Sequence, residues 1–199
     1  MQAAGLNVTA VQNPLTTLPK AVASAERVLG RQDGPTVLVG HSFSGMIVTE
    51  AGVHPNVSAL VYVAARAPDA DEDYTALAKT YPTPPATAGI VFDGDEGRLS
   101  EEAFLRDFAG DLPEAKAKVL YAVQEPFRKV LLAGKTTHAA WRSKPSWWRK
   151  ASICSRVARL TRYGDGCGSG RGTTLGYDVC ASSRGPKMRA CRTLPSGST

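Results

Sequence analysis

Residues 36–45 read Thr-Val-Leu-Val-Gly-His-Ser-Phe-Ser-Gly, and this stretch decides the fold. Three β-forming residues run into Gly40, Ser42 follows two residues later, and a helical pattern begins directly after it. A serine on a sharp turn between a strand and a helix exposes its hydroxyl at the edge of a sheet, which is how nucleophilic serines are presented. The stretch therefore predicts a nucleophile at Ser42.

The turn varies the usual pattern G-x-S-x-G, because Ser44 stands in the last place and Gly45 comes one residue late. Small residues are needed on both sides of the serine, since a bulky side chain would collide with the neighbouring strand. We interpret Ser44 as a tolerated variant with some strain. His41 is interpreted as a packing or supporting residue of the turn, because its side chain points away from Ser42. The alternative is a plain glycine turn with a serine that caps a helix.

Helical and extended patterns alternate through the first third of the chain. They predict strands at 6–11, 36–39 and 57–64, a helix from Thr17 to about Leu29, and a second helix after Ser42. The almost continuous apolar run at 57–64 is typical of a strand buried on both faces of a parallel sheet. The order of elements predicts an α/β fold with a mostly parallel sheet.

The predicted secondary structure changes between residues 68 and 145, where helical patterns dominate. Helices are predicted at 69–79, 101–108, 114–123 and 126–132. A helical insertion after a strand of such a sheet is typical of a lid over an active site. Its aromatic residues are expected to form mainly the lid's own small core, the alternative being that they line a substrate pocket; they are Tyr74, Tyr81, Phe104, Phe108 and Tyr121.

Composition limits the class of protein. The 199 residues suit one globular domain, with 43% hydrophobic and 21% charged residues. No apolar run approaches the ~20 residues of a membrane span, so no membrane partner is expected. The N-terminus lacks the pattern of a secretory signal, which predicts a cytoplasmic protein. There is no phosphate-binding glycine loop and no cluster of metal ligands, so we expect no cofactor and no metal.

Charge divides the chain into two pieces. Residues 1–148 carry 14 Lys and Arg against 16 Asp and Glu, whereas residues 149–199 carry 10 against 2. All four cysteines lie in the second piece, at Cys154, Cys167, Cys180 and Cys191, without the close pairing of a zinc site. We predict a domain at 1–148 and a basic, irregular, disordered tail at 149–199. Non-specific nucleic-acid binding by this tail is the less favoured interpretation.

Several motifs together resemble a known family. These are Gly-Leu-Asn-Val-Thr-Ala-Val-Gln-Asn-Pro (5–14), Gly-His-Ser-Phe-Ser-Gly (40–45), Thr-Glu-Ala-Gly (49–52), Leu-Val-Tyr-Val-Ala-Ala (60–65) and Lys-Pro-Ser-Trp (144–147). They resemble bacterial α/β-hydrolases, and more narrowly the small cofactor-free esterase-like branch related to plant hydroxynitrile lyases and methylesterases. The resemblance implies a Ser-His-Asp enzyme in which Ser42 attacks an acyl carbon of a small ester-like substrate. It also implies that the backbone N–H of Phe43 supplies half of the oxyanion hole.

The chain departs from the family pattern at two places. The family's domain opens with a strand and a His-Gly turn that supplies the other oxyanion donor, and this sequence begins after them. After Trp148 the family continues with segments that carry the catalytic Asp and His, whereas this sequence no longer matches the family pattern. We therefore expect an incomplete α/β-hydrolase fold, truncated at the N-terminus and altered by a shifted reading frame after Trp148.

No residue matches the family's catalytic base. His41 lies in the turn, His54 in a loop, and His138 in the lid at a place where the family keeps no base. Asp69 is the nearest positional candidate for the acid and Asp165 lies in the tail, and both are expected to be surface carboxylates. The sequence thus predicts a serine hydrolase with impaired activity, because a hydroxyl without a base is a poor nucleophile. The alternative is a non-catalytic scaffold derived from a hydrolase, or a protein that binds through its basic tail.

Overall fold

A parallel β–α–β unit lies at the centre of the fold. The computed structural model describes residues 1–81 and 83–149 and the backbone of 179–182. Its first elements are α1 (Leu18–Leu29), β1 (Thr36–His41), α2 (Ser44–Ala51) and β2 (Val57–Val63). Strands β1 and β2 pair in parallel, with Thr36 beside Val57 and His41 beside Val63. Parallel neighbours require a crossover connection, and α2 provides it, as the alternating pattern predicts.

The insertion after β2 combines short helices with a small sheet. In chain order it contains α3 (Tyr74–Lys79), β3 (Ile90–Asp93), β4 (Glu96–Leu99), α4 (Glu101–Ala103) with a π-helical turn at Phe104–Phe108, α5 (Glu114–Ala122) and β5 (Phe127–Arg128). Strands β3, β4 and β5 form an antiparallel sheet. The expectation of an all-helical segment is thus corrected, and residues 126–132 hold β5 and the start of a 3₁₀ turn, Lys129–Ala133, instead of the predicted helix.

Strands β3 and β4 were not predicted from the sequence because most of their residues are exposed. Of the eight residues in β3 and β4, only Gly97 is buried, so the sequence carries no alternation of apolar and polar positions to reveal them. Gly94 occupies the turn between them with a φ of 56°, a left-handed conformation that glycine adopts without steric cost. Register in this hairpin is therefore set by the turn, and the hydrophobic pattern contributes little.

The principal sheet extends beyond β2 by two more strands. Strand β6 (Ser146–Arg149) pairs in parallel with β2, and the backbone of β7 (Val179–Ser182) pairs antiparallel with β6, giving the order β1-β2-β6-β7. The boundary predicted after Trp148 thus falls inside β6. Of the tail predicted at 149–199, the structure describes Arg149 and the backbone of β7. The rest of that tail lies outside the described residues. None of the described helices has the length and hydropathy that a membrane crossing requires.

Helix α1 packs its apolar side against α2 and the sheet. It begins at Thr17, whose hydroxyl accepts a hydrogen bond from the Lys20 N–H at 3.4 Å, and Pro19 occupies its first turn. The spacing of its apolar residues predicts one buried face, and the side chains concerned are at most 8% exposed; they are Leu18, Val22, Ala25 and Leu29. The helix predicted from Thr17 to Leu29 is confirmed.

The strand predicted at 6–11 is wrong. These residues form no strand, and Leu6 and Val8 are 58% and 37% exposed. Within the described residues β1 is an edge strand, paired only with β2, and its side chains Val37 and Val39 are 53% and 43% exposed. An isolated extended segment gains no ladder hydrogen bonds, so apolar alternation alone does not hold residues 6–11 in a strand.

The insertion has a small hydrophobic core of its own. Phe104 is buried among Ala109 and Ala117, and its ring lies 5.0 Å from that of Phe108 and 5.7 Å from that of Tyr121. Three of the five aromatic residues singled out in the sequence thus contact one another here. Phe108 is also 49% exposed and reaches toward β1, which brings the insertion beside the end of that strand.

Candidate functional site

Ser42 occupies the junction between β1 and α2 in a left-handed backbone conformation. Its φ is 53°, its side chain is exposed, and its N–H donates to the Val63 carbonyl at the end of β2 (3.2 Å). Its carbonyl accepts from the Gly45 N–H at 3.1 Å, which closes the turn. A serine in this conformation costs about 1–2 kcal/mol relative to the right-handed region. Such strain is concentrated at functional sites, where the surrounding structure enforces it.

Two glycines make the sharp turn sterically feasible. A Cβ on Gly40 would lie 2.6 Å from Cγ2 of Val48 and 2.7 Å from the Ser44 carbonyl oxygen. A Cβ on Gly45 would lie 2.2 Å from the carbonyl oxygen of Arg66. Gly40 is therefore required because α2 folds back onto β1, and Gly45 because the segment after β2 crosses the first turn of α2. Ser44 is half-buried between these two contacts.

Phe43 is the residue after Ser42 and caps α2 at its N-terminus. The first N–H groups of a helix have no partner within the helix. Within the part of the chain that the structure describes, the Phe43 N–H has no acceptor. This N–H is therefore available to an oxygen atom of a bound ligand. The Phe43 ring is half-buried and meets the Tyr74 ring edge-on, with centroids 6.4 Å apart.

His41 lies beside Ser42 in sequence but packs elsewhere. Its ring meets Phe108 of the insertion nearly edge-on, with centroids 6.2 Å apart. Although part of the residue is exposed, burial of the imidazole lowers the pKa of His41. The ring is consequently neutral at pH 7. No hydrogen bond joins His41 to the Ser42 hydroxyl among the described residues.

The other two histidines lie away from Ser42. His54 belongs to the loop before β2, at the opposite end of the strands, where its Nδ1 accepts from the Asn56 N–H at 3.2 Å. His138 contacts Glu50 in the last turn of α2. A helix rises 1.5 Å per residue, so Glu50 lies about 9 Å along α2 from Ser44. Neither histidine is therefore in reach of the Ser42 hydroxyl.

Glu50 and His138 form a polar cluster that the sequence did not predict. The Glu50 carboxylate accepts from the Thr137 N–H (2.7 Å), the Thr137 hydroxyl (2.5 Å) and the His138 N–H (3.0 Å), and it lies 3.0 Å from Nδ1 of His138. Burial acts to raise the pKa of Glu50, but the hydrogen bonds from Thr137 and His138 outweigh it and lower that pKa. The cluster ties the insertion to α2. Nothing in the sequence reveals it, because its members are 87 and 88 positions apart.

Asp69, one of the two carboxylates considered as the catalytic acid, does not contact a histidine among the described residues. Asp69 is ion-paired through both oxygens with the Arg142 guanidinium, and its backbone carbonyl accepts from the Thr136 hydroxyl at 3.1 Å. It is thus held as a structural ion pair within the insertion. Asp165 lies outside the described residues. Among those residues, no group of three His, Cys, Asp or Glu side chains is arranged to hold a metal ion.

Arg66 follows β2 on the same edge of the sheet as Ser42. Its guanidinium carbon lies 5.4 Å from the centroid of the Tyr74 ring and 5.3 Å from that of Tyr81. Burial raises the pKa of Tyr74 against the opposing effect of the Arg66 charge, so this phenol stays protonated. The sequence singled out both tyrosines as aromatic residues of the insertion but gave no reason to associate them with Arg66.

Two cavities among the described residues lie away from Ser42. One has a volume of about 430 Å³ between the start of α1 and Glu125, and the other, of about 230 Å³, is lined by Leu18, Val22, Glu50 and Thr137 among others. Ser42 lines neither of them. Its hydroxyl instead stands on the open surface at the carboxyl end of β1, beside the insertion.

Comparisons with known proteins agree with this architecture. A family profile described as "Alpha/beta hydrolase family" matches residues 8–178. No curated protein matches the chain in sequence. An extracellular α/β-hydrolase from a Paenibacillus species, described as sharing structural and functional homology with tobacco salicylic acid binding protein 2, is similar in structure with a TM-score of 0.55. It is 18% identical, over 73% of this chain and 62% of that one.

Two further solved structures give the same result. Polyneuridine aldehyde esterase has a TM-score of 0.58 at 16% identity, over 73% of this chain and 69% of that one. A methylesterase from Arabidopsis has a TM-score of 0.55 at 16% identity, over 73% and 66%. The chain thus spans about two thirds of the length of these structures. At such identities the likeness establishes the fold, which is the one expected from the motifs at 40–45 and 60–65.

Proposed function

The chain belongs to the α/β-hydrolase family, and on that premise we propose that it is a serine hydrolase acting on small esters, with Ser42 as its nucleophile. The observation that carries the proposal is the φ of 53° at Ser42, on an exposed turn directly between a parallel strand and a helix. Among the described residues Leu15, Ala64 and Asp71 also have a positive φ, and what distinguishes Ser42 is its position between β1 and α2. At this position the left-handed conformation is the one in which a hydroxyl is presented to a substrate above a sheet.

The proposed reaction uses groups that the turn brings together. The Ser42 oxygen attacks the acyl carbon, the bond from that carbon to the alcohol oxygen breaks, and the alcohol leaves with the proton that the hydroxyl gave up. Water then attacks the acyl-serine, which releases the acid and restores the hydroxyl. The Phe43 N–H, which has no acceptor among the described residues, is positioned to donate to the carbonyl oxygen as it gains negative charge.

Activity is proposed to be low because none of the three histidine side chains lies beside the Ser42 hydroxyl. His41 packs on Phe108, His54 lies at the far end of the strands, and His138 contacts Glu50, which is about 9 Å along α2 from Ser44. Without a base the hydroxyl stays protonated near neutral pH and attacks only reactive acyl groups. A hydrolase that lacks a member of its triad loses several orders of magnitude in rate, and what remains comes from oxyanion stabilisation and binding.

Substrate class and location belong to the same proposal. Two of the similar structures are an esterase and a methylesterase, which favours a small-molecule ester as the substrate. One similar structure comes from an extracellular protein, so the cytoplasmic location predicted from the sequence stays a prediction.

The test compares two serines in the intact chain. Purified protein is treated with a fluorophosphonate probe and, separately, with p-nitrophenyl acetate, and acylated peptides are located by mass spectrometry. We expect the label on Ser42, a slow Ser42-dependent release of p-nitrophenol, and loss of both in Ser42→Ala. Ser58→Ala is the matched control, because Ser58 is also an exposed serine, and its hydroxyl donates to the Thr36 carbonyl at the opposite end of the strands.

Two outcomes would contradict the assignment of Ser42 as the nucleophile. If Ser42→Ala leaves labelling and p-nitrophenol release unchanged, or if the folded wild-type chain shows neither, then Ser42 is not a nucleophile. The chain would then be a hydrolase-derived scaffold without catalysis. Circular dichroism of each variant verifies that a loss of labelling does not come from unfolding.

A further inference from the structure

Arg66 is held in place by the same edge of the sheet that carries Ser42. It lies three residues after the end of β2, and its carbonyl oxygen packs against Gly45 in the first turn of α2. Its half-buried side chain lies between Tyr74 and Tyr81, with the guanidinium carbon 5.4 and 5.3 Å from the two ring centroids. Contacts of this length between a cation and aromatic faces are attractive and fix the position of the charge.

The charge on Arg66 has no acidic partner. Three arginines of the insertion are neutralised, since Arg106 pairs with Glu102 and Asp107, Arg128 with Glu96, and Arg142 with Asp69. Among the described residues, no carboxylate forms an ion pair with Arg66. A guanidinium offers a planar set of N–H donors that matches the two oxygens of a carboxylate. The Arg66 guanidinium is hydrogen-bonded to the Tyr74 side chain, and its further N–H donors make it a preorganised site for an anion.

Aromatic contacts connect this charge to the proposed nucleophile. The Tyr74 ring touches Arg66 on one side and the Phe43 ring on the other, where the centroids are 6.4 Å apart. Phe43 is the residue directly after Ser42. An acyl group bound at the Ser42 hydroxyl therefore lies next to a series of contacts that runs from Phe43 through Tyr74 to the Arg66 guanidinium.

We propose that Arg66, held between Tyr74 and Tyr81, binds a carboxylate of the substrate, so that the preferred substrates are anionic monoesters of dicarboxylic acids. This inference rests on the proposed function, because it assigns the specificity of the same site. The carboxylate far from the ester accepts hydrogen bonds from the guanidinium, while the ester carbonyl carbon faces the Ser42 hydroxyl. Neutral esters of the same length lack this contact and bind more weakly.

The binding test does not depend on catalysis. Isothermal titration of the intact chain compares monomethyl succinate, a monoanion, with the neutral dimethyl succinate. We expect the monoanion to bind at least about tenfold more tightly than the diester, as hydrogen bonds to charged groups contribute, and Arg66→Gln to abolish that difference. Arg31→Gln is the matched control, because Arg31 is exposed and lies between α1 and the amino end of β1, away from Ser42. Equal binding of both ligands to the wild-type chain, or a preference that survives in folded Arg66→Gln, overturns the inference.

A kinetic test separates this inference from the proposed function. The ratio of kcat/KM for p-nitrophenyl hydrogen succinate to that for p-nitrophenyl butyrate is expected to fall about 10- to 100-fold in Arg66→Gln, because only the anionic ester loses a charged contact. A parallel loss on both esters assigns Arg66 a purely structural role. If neither ester is turned over and Ser42 is not labelled, the proposed function fails, and the titration still decides whether Arg66 binds carboxylates. If both esters are hydrolysed alike, the proposed function stands and the Arg66 inference fails.

Discussion

The two ends of α2 differ in how their polar groups are satisfied. At the N-terminal end, Ser42 holds a strained backbone and an exposed hydroxyl without an imidazole partner among the described residues. At the C-terminal end, Glu50 accepts three hydrogen bonds and contacts Nδ1 of His138, an arrangement that orients an imidazole. One end therefore has an exposed serine hydroxyl without a histidine side chain beside it, and the other has an oriented histidine without such a serine. A serine and a histidine are both present near α2, but they lie at its opposite ends. The distance between them therefore decides that they cannot act together, although both residue types are there.

The largest effect is expected at the N-terminal end of α2, where the backbone is crowded. Gly45→Ala places a Cβ 2.2 Å from the Arg66 carbonyl oxygen, so the segment after β2 must move away from α2. We expect a loss of about 2–3 kcal/mol in the free energy of unfolding, measured by urea denaturation, together with weaker labelling of Ser42. Gly34→Ala is the control, because a Cβ there meets no atom within 4 Å. Equal stability of the two variants would show that α2 does not depend on this close approach.

An intermediate effect is expected at the other end of α2, and it depends on pH. Glu50→Gln weakens the hydrogen bonds from Thr137 and His138 and is expected to lower the free energy of unfolding at pH 7 by about 1–2 kcal/mol. Because the pKa of folded Glu50 is lowered from its ordinary 4.5, the stabilisation is complete above that value and declines as the pH falls through the folded pKa. The difference between wild type and variant should therefore shrink below about pH 4.5.

Denaturation curves at several pH values measure this difference directly. Other carboxylates with lowered pKa values are common to both proteins and cancel in the comparison; they are Asp73, Asp107 and Glu114. Glu26→Gln is the matched control, because Glu26 is an exposed residue of α1. A difference that stays constant from pH 7 to pH 3 would mean that the Glu50 carboxylate does not stabilise the link between the insertion and α2.

The smallest effect has the opposite sign and tests the strain itself. Ser42→Gly removes the Cβ from a left-handed position, and we expect the free energy of unfolding to rise by about 0.5–1 kcal/mol while all labelling is lost. Ser58→Gly, in the extended conformation of β2, should instead destabilise the chain by a similar amount. Thermal unfolding of both variants measures the contrast. If Ser42→Gly destabilises the protein as Ser58→Gly does, the backbone at Ser42 is not strained.

The prediction of the fold from sequence succeeded where local pattern and contacts coincide. Helix α1 follows from its cap at Thr17 and its buried apolar face, and the β1–turn–α2 unit follows from the stretch at 36–45. The strand predicted at 6–11 failed because pairing depends on a neighbour that the alternation of residues does not reveal. Strands β3 to β5 were missed because their mostly exposed residues carry no periodic signal.

The sequence by itself determined that a small, sharply turned segment carries Ser42 between a strand and a helix, because glycine, serine and apolar runs act over only a few residues. The tertiary structure alone decided the surroundings of that serine. Glu50 accepts a hydrogen bond from His138, which is 88 positions away, and Asp69 forms an ion pair with Arg142. The rings of Tyr74 and Tyr81 both contact the Arg66 guanidinium. These contacts arise from packing between distant segments, whose approach depends on the whole fold and leaves no pattern in neighbouring residues.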